Sequence, residues 1–206
     1  RCGCWLIGKE NRPGRIVLVP MSVERPEGEG WVMVRRTDQD LTFMRPAMSN
    51  RNSLVAIATG KVPDRRARTA QELAANIRDE LKGKTDDKRF DVMVEDVRID
   101  PVAGHKCVRY RQLARDLGAP GAAGKAQVID LHGMACLNPA DEGIVLTVSY
   151  SERGAPESLN PRLAEEAEGF FKGMRAHAPL KGKDWLPLAE QGDANAQVWL
   201  ARTLLQ

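Results

Sequence analysis

Residues 127–154 read QVIDLHGMACLNPADEGIVLTVSYSERG, and the rest of the chain is read outward from them. Two runs rich in Val, Ile, Leu, Thr and Tyr flank the cluster Asn138-Pro139-Ala140-Asp141-Glu142-Gly143. β-Branched and aromatic side chains suit a pleated, half-buried surface, and Pro with Gly punctuates it, so the stretch predicts a β-hairpin. Its first strand carries Cys136. The run before it, residues 106–111 (KCVRYR), carries Cys107 and predicts a neighbouring strand.

These two runs specify their own register. In an antiparallel pair, facing residues lie at equal distances from the middle of the turn. For Cys107 and Cys136 that middle falls between Gly121 and Ala122, inside APGAAG at residues 119–124, the most turn-like stretch between the strands. Facing residues at a non-hydrogen-bonded site lie ~4.5 Å apart in Cα, within the ~4.4–6.8 Å that a bridge spans. A Cys107–Cys136 disulfide is therefore expected, worth ~3–4 kcal/mol in the chain-entropy model. A bridge points to an oxidising compartment, whereas two free buried thiols would suit a cytosolic protein.

Upstream, residues 15–20 (RIVLVP), 31–36 (WVMVRR), 41–45 (LTFMR), 54–62 (LVAIATGKV) and 90–99 (FDVMVEDVRI) have strand composition. Phe90, Val92 and Val94 are expected on one side of the last of these. Residues 69–82 form the best helix of the first half. Thr69 and Glu72 make a capping box, Leu73, Ile77 and Leu81 recur at helical spacing, and Gly83 supplies a stop. Residues 160–177 predict a second helix, with Asn160 as N-cap, Pro161 at its first position and a stripe of Leu163, Ala167, Phe170, Phe171 and Met174. Glu165, Glu166 and Glu168 are assigned to its wet face.

The expected fold class is α+β: an antiparallel sheet with two packed helices over residues 1–180, then a C-terminal helical hairpin over residues 181–206. In the tail, Leu188-Ala189-Glu190-Gln191-Gly192-Asp193-Ala194-Asn195-Ala196-Gln197 followed by Leu200-Ala201 resembles a Sel-like repeat, a relative of the tetratricopeptide repeats. Gly192 would end one helix, Asp193 would cap the next, and Ala189 with Ala196 would let them approach closely. The resemblance implies a protein-binding solenoid without chemistry of its own. A lone unit cannot bury its apolar faces, so the tail reads as the start of a truncated array. Trp185, Trp199 and Leu200 are the candidate interaction residues. The order of elements over residues 15–177 is similar to the PsbP-like α+β sandwiches, a likeness of architecture that carries no function.

Composition narrows the rest. Thirty-one Lys and Arg against 28 Asp and Glu give a net charge of +3, with both signs interspersed, unlike the concentrated basic face of a nucleic-acid binder. No apolar run approaches the ~20 residues of a membrane-spanning helix. The three histidines, His105, His132 and His177, have no metal-ligand spacing, and no cofactor motif is recognised. Ser149 and Ser151 lack a nucleophile elbow. Near the start, Gly3-Cys4 fits the small-residue-then-Cys pattern of a lipid-anchored exported protein, but Arg1 and Cys2 do not fit the apolar positions before it. Those thiols are assigned to a flexible terminus near a processing site.

Two functions stay open. The first is a non-enzymatic exported protein, periplasmic or N-terminally anchored, that binds or scaffolds a protein partner in the bacterial envelope. The second is a small hydrolase or ligand-binding enzyme. If Cys107 faces Cys136, alternation places Arg109, Arg111, Asp130 and His132 on the same sheet face, with His132 as base and the arginines as anion holders. The same face also reads as solvated charges that pair across strands, each pair worth ~0.2–1 kcal/mol.

Overall fold

Cys107 lies directly opposite Cys136 in a computed structural model that describes residues 15–47, 52–84, 88–100, 106–118 and 127–204. The two strands run without a slip from that pair to Asp116 opposite Gln127, the register anticipated from the turn midpoint. Strands β1 (Arg15–Val17), β2 (Met21–Glu24), β3 (Val32–Arg36), β4 (Asp40–Arg45) and β5 (Ser53–Lys61) precede helix α1 (Ala70–Lys84). Strands β6 (Phe90–Ile99), β7 (Cys107–Asp116), β8 (Gln127–Asn138) and β9 (Asp141–Gly154) come next, then helix α2 (Leu163–Lys172) and strand β10 (Arg175–Ala176). The chain ends in a 3-10 turn (Gly182–Trp185) and helices α3 (Leu186–Glu190) and α4 (Ala194–Leu204).

The main sheet has seven antiparallel strands in the order β3-β4-β5-β9-β8-β7-β6. A second sheet of three strands, β1-β2-β10, covers part of one face together with α2. Leu41, Phe43, Leu54, Leu146, Val148 and Tyr150 meet Leu18, Met21, Val23, Leu163, Phe170 and Phe171 there. On the opposite face α1 packs Leu73, Ala74 and Ile77 against Val97, Val108, Tyr110 and Leu137. Its capping box is formed: Thr69 Oγ1 accepts the Glu72 amide at 3.1 Å, and Glu72 accepts the Thr69 amide at 3.3 Å. The Tyr110 ring lies across Gly133, its partner on β8, so closely that a Cβ at Gly133 would sit 2.0 Å from the ring.

This architecture corrects the α+β class. Among the described residues strand outweighs helix, 45% against 27%, and the helices are few additions to two sheets. The second sheet was hidden because residues 15–20 read as one strand. Pro20 breaks that run, having no amide to give a ladder, and the chain reverses with the Leu18 amide donating to the Met21 carbonyl at 2.7 Å. The helix expected to reach His177 ends at Lys172, because Gly173 lies against Glu24 and Arg175–Ala176 pairs with β2 instead. It also begins at Leu163 rather than beside Asn160, whose side chain accepts the Arg162 amide at 2.9 Å in a turn before the helix. A bulge at Met93 turns Val94 to the face opposite Val92, so the expected Phe90-Val92-Val94 stripe is split.

The Sel-like reading is corrected too. The tail is a five-residue and an eleven-residue helix around a small core of Trp185, Ala189 and Ala196, joined by Val19 from the sheet body. The described helix pair packs against the body. The Leu180 amide donates to Val19 at 2.9 Å, and Arg36 pairs with Asp193 at 2.7 Å. The PsbP-like likeness gives way to the two-sheet arrangement above. Cys2, Cys4, His105, the turn at 119–124 and the terminal Gln206 lie outside the described residues.

Candidate functional site

Strand alternation assembles the polar face predicted between β7 and β8. Arg111 stands opposite His132, Arg109 opposite Met134, and Cys107 opposite Cys136. The two sulfurs are bonded, with Cα atoms 4.1 Å apart, and both residues are buried. The Leu137 amide donates to the Lys106 carbonyl, so the adjacent pair is the hydrogen-bonded one and the cysteines occupy a non-hydrogen-bonded site.

The charges of this face are already paired. Arg111 holds Asp130 with two bonds, Nε to Oδ1 at 3.0 Å and Nη2 to Oδ2 at 2.8 Å. His132 Nε2 lies 3.2 Å from the same carboxylate. Burial works against the charge on Asp130, but the bonds from His132 and Arg111 outweigh it and hold its pKa down at about 2. Arg109 Nε bonds Asp100 at 2.7 Å, its Nη1 bonds Glu168 of α2 at 2.6 Å, and its guanidinium lies over the Phe171 ring. Two of the three glutamates assigned to solvent therefore reach the sheet: Glu168 meets Arg109, and Glu166 accepts the Tyr150 hydroxyl at 2.9 Å. Burial, then that bond, pushes the Tyr150 phenol well above its ordinary range.

Spacing alone could not show that α2 delivers carboxylates to this face, nor that Asp100 closes the second pair. A second buried charge centre, also unanticipated, lies on the opposite face. The Asp116 carboxylate is wholly buried between Arg89 and Arg153. Its burial opposes ionisation, but those arginines and the Gly118 amide keep the pKa low. Among the described residues no group of His, Cys, Asp and Glu is arranged to hold a metal ion.

The tail residues take separate positions. Trp185 is buried, and its ring stacks on Trp199 with centroids 6.4 Å apart. Trp199 and Leu200 are half-buried around the same small core, and Arg202 lies over the Trp199 ring. Gly192 adopts the left-handed φ of 86° that ends α3, and Asp193 accepts the Asn195 and Ala196 amides at 3.0 Å to start α4. Leu186 and Val198 face outward, 44% and 50% exposed. No helix among the described residues is long and apolar enough to cross a membrane.

No protein-family model matches the chain, and no curated protein matches it. Among solved structures, a mutant form of the protein Mog1 is similar, with a TM-score of 0.46 and 12% identity over 80% of this chain and 95% of that one. A likeness of that size speaks to neither activity nor partner.

Proposed function

We propose that the chain is a non-enzymatic binding or scaffolding domain of the bacterial cell envelope, exported to the periplasm, that engages a protein partner through the outward side of its C-terminal helix pair. The observation that carries this reading is the saturation of the β7–β8 face. Arg109, Arg111 and His132 each already hold a carboxylate, so the residues that would serve as anion holders and base are spent on Asp100, Asp130 and Glu168 of α2. The Cys107–Cys136 bridge supports an oxidising compartment. The tail supplies apolar surface at Leu186 and Val198 on a unit whose own core is filled by Trp185 and Trp199.

Site-specific photo-crosslinking in cells tests it. A crosslinking residue at Val198 should give a discrete adduct in the periplasmic fraction, heavier by a mass that is not a multiple of the chain's own. The same residue at Leu117, exposed in the turn just after β7, should give none. No adduct at Val198, or adducts of equal strength at both positions, would remove the tail as the binding surface. Recovery of the protein only from the cytosol, with both thiols open to alkylation, would remove the export reading.

A further inference from the structure

Among the described residues, the triplet Val-Met-Val occurs on both edge strands of the seven-stranded sheet, as Val32-Met33-Val34 on β3 and Val92-Met93-Val94 on β6. All six residues are between 36% and 54% exposed. The two residues after each triplet are opposite in charge, Arg35-Arg36 on one edge and Glu95-Asp96 on the other. We propose that copies of this chain associate head to tail, β6 of one molecule beside β3 of the next, into open-ended assemblies.

Topology supplies the direction. Each strand of the sheet is antiparallel to its neighbour, and seven is an odd number, so β3 and β6 point the same way. A second molecule displaced across the strands, with the rotation that sheet twist imposes, therefore meets the first in a parallel pairing. The ladders supply the register. The Thr37 amide donates to the Asp40 carbonyl at 2.8 Å, which leaves Arg36, one residue earlier, with its backbone groups directed at the free edge. The Asp100 amide donates to the Cys107 carbonyl at 2.9 Å, and alternation from there directs the backbone of Val97 and Glu95 outward on β6.

In a parallel pair, a residue with outward groups bonds the two residues flanking its opposite. Arg36 therefore fits opposite Asp96, giving its amide to Glu95 and taking the amide of Val97. The Val97 carbonyl, which this pairing does not use, already accepts Arg78 of α1 at 2.8 Å. The same register sets Arg35 opposite Glu95 and Val32 opposite Val92, and each of these pairs shares a face of the sheet.

Charge then selects among the possible edge contacts. β3 against β3 would bring arginines together, and β6 against β6 would bring carboxylates together, whereas β3 against β6 joins opposite signs. Such a contact uses different surfaces on the two molecules and does not close on itself as a two-fold dimer does. The bulges beside Val34 and Met93 interrupt the regular ladder, so the contact is short and the assembly depends on concentration.

Sedimentation velocity on the full chain tests this independently of the function proposed above. The mean mass should rise with protein concentration past that of a dimer and fall with added salt. Glu95→Arg and Arg35→Glu should each remain monomeric while keeping the parent's circular dichroism and a cooperative melting transition, lowered in Arg35→Glu because Arg35 also pairs with Asp40 at 3.5 Å. Arg36 is left unchanged in this test because it also holds Asp193. Mixing the two variants should restore assembly, since each reversed edge then meets a complementary one. A parent chain that stays monomeric or stops at a dimer would overturn the proposal. So would assembly that survives either reversal, or a mixture that stays monomeric.

Discussion

Removing the Cys107–Cys136 bridge tests how much of the fold it secures. The bridge joins residues 29 apart in sequence, and both cysteines are buried at the inner face of the sheet. Constraining an unfolded loop of that length lowers its entropy enough to stabilise the native state by about 3.6 kcal/mol at 25 °C. Replacing both cysteines with alanine also trims two small buried side chains, so the total loss should be somewhat larger. With a urea dependence of about 2 kcal/mol per molar, the unfolding midpoint should fall by roughly 2 M. Urea titration followed by circular dichroism measures it directly, and burial makes a second readout available. The native bridge should resist a mild thiol reductant until the chain begins to unfold, because the attacking thiolate must reach a sulfur. A midpoint unmoved in the double variant would show that β7 and β8 are held in the unfolded chain by something other than the bridge. Rapid reduction in the native state would show that the sulfurs are accessible.

Three further outcomes are expected. Gly133→Ala places a Cβ where the Tyr110 ring now lies and should cost about 1–3 kcal/mol by urea titration; a neutral result would mean that the ring moves aside freely. Ile77→Ala should cost about 2–5 kcal/mol through lost burial and a residual cavity under α1, and an unchanged midpoint would take Ile77 out of the core. Asp130 has a folded pKa of about 2 against an ordinary 3.8, so it binds its proton more readily when unfolded. Its contribution of about 2 kcal/mol is present above pH 4 and disappears as pH falls toward 2. In Asp130→Asn that part of the acid dependence should vanish, and an unaltered pH profile would assign the acid sensitivity elsewhere.

The parts of the fold that could be read from sequence are those in which local pattern and long-range pairing agree. The register of β7 on β8 follows from two cysteines and a turn, and α1 follows from a capping box with an apolar stripe behind it. Elsewhere a tertiary contact overrode the local signal. Gly173 lies against Glu24, which stops α2 and frees Arg175–Ala176 to join β2. The bulge at Met93 reverses a face without any glycine or proline to mark it. At the polar face, alternation placed Arg109, Arg111, Asp130 and His132 together, but the carboxylates that hold Arg109 come from Asp100 and from α2, which no spacing on β7 or β8 could reveal. The tail shows the same limit. Its Gly192-Asp193 junction was legible, whereas the docking of Val19 and Arg36 onto it depends on where β1 and β3 lie.

The order of strands in the large sheet also constrains when the chain can fold during synthesis. β3, β4 and β5 emerge first, yet the inner edge of β5 is completed by β9, with Ser53 opposite Arg153. α1 and the three strands β6, β7 and β8 are all made in between. Until residue 154 has left the ribosome, the β5 edge of the early meander lacks its ladder partner, and contacts this distant in sequence form late. A sheet built this way reaches its cooperative collapse only when most of the chain has been made, and the long-range β5–β9 ladder is the step for which the rest must wait.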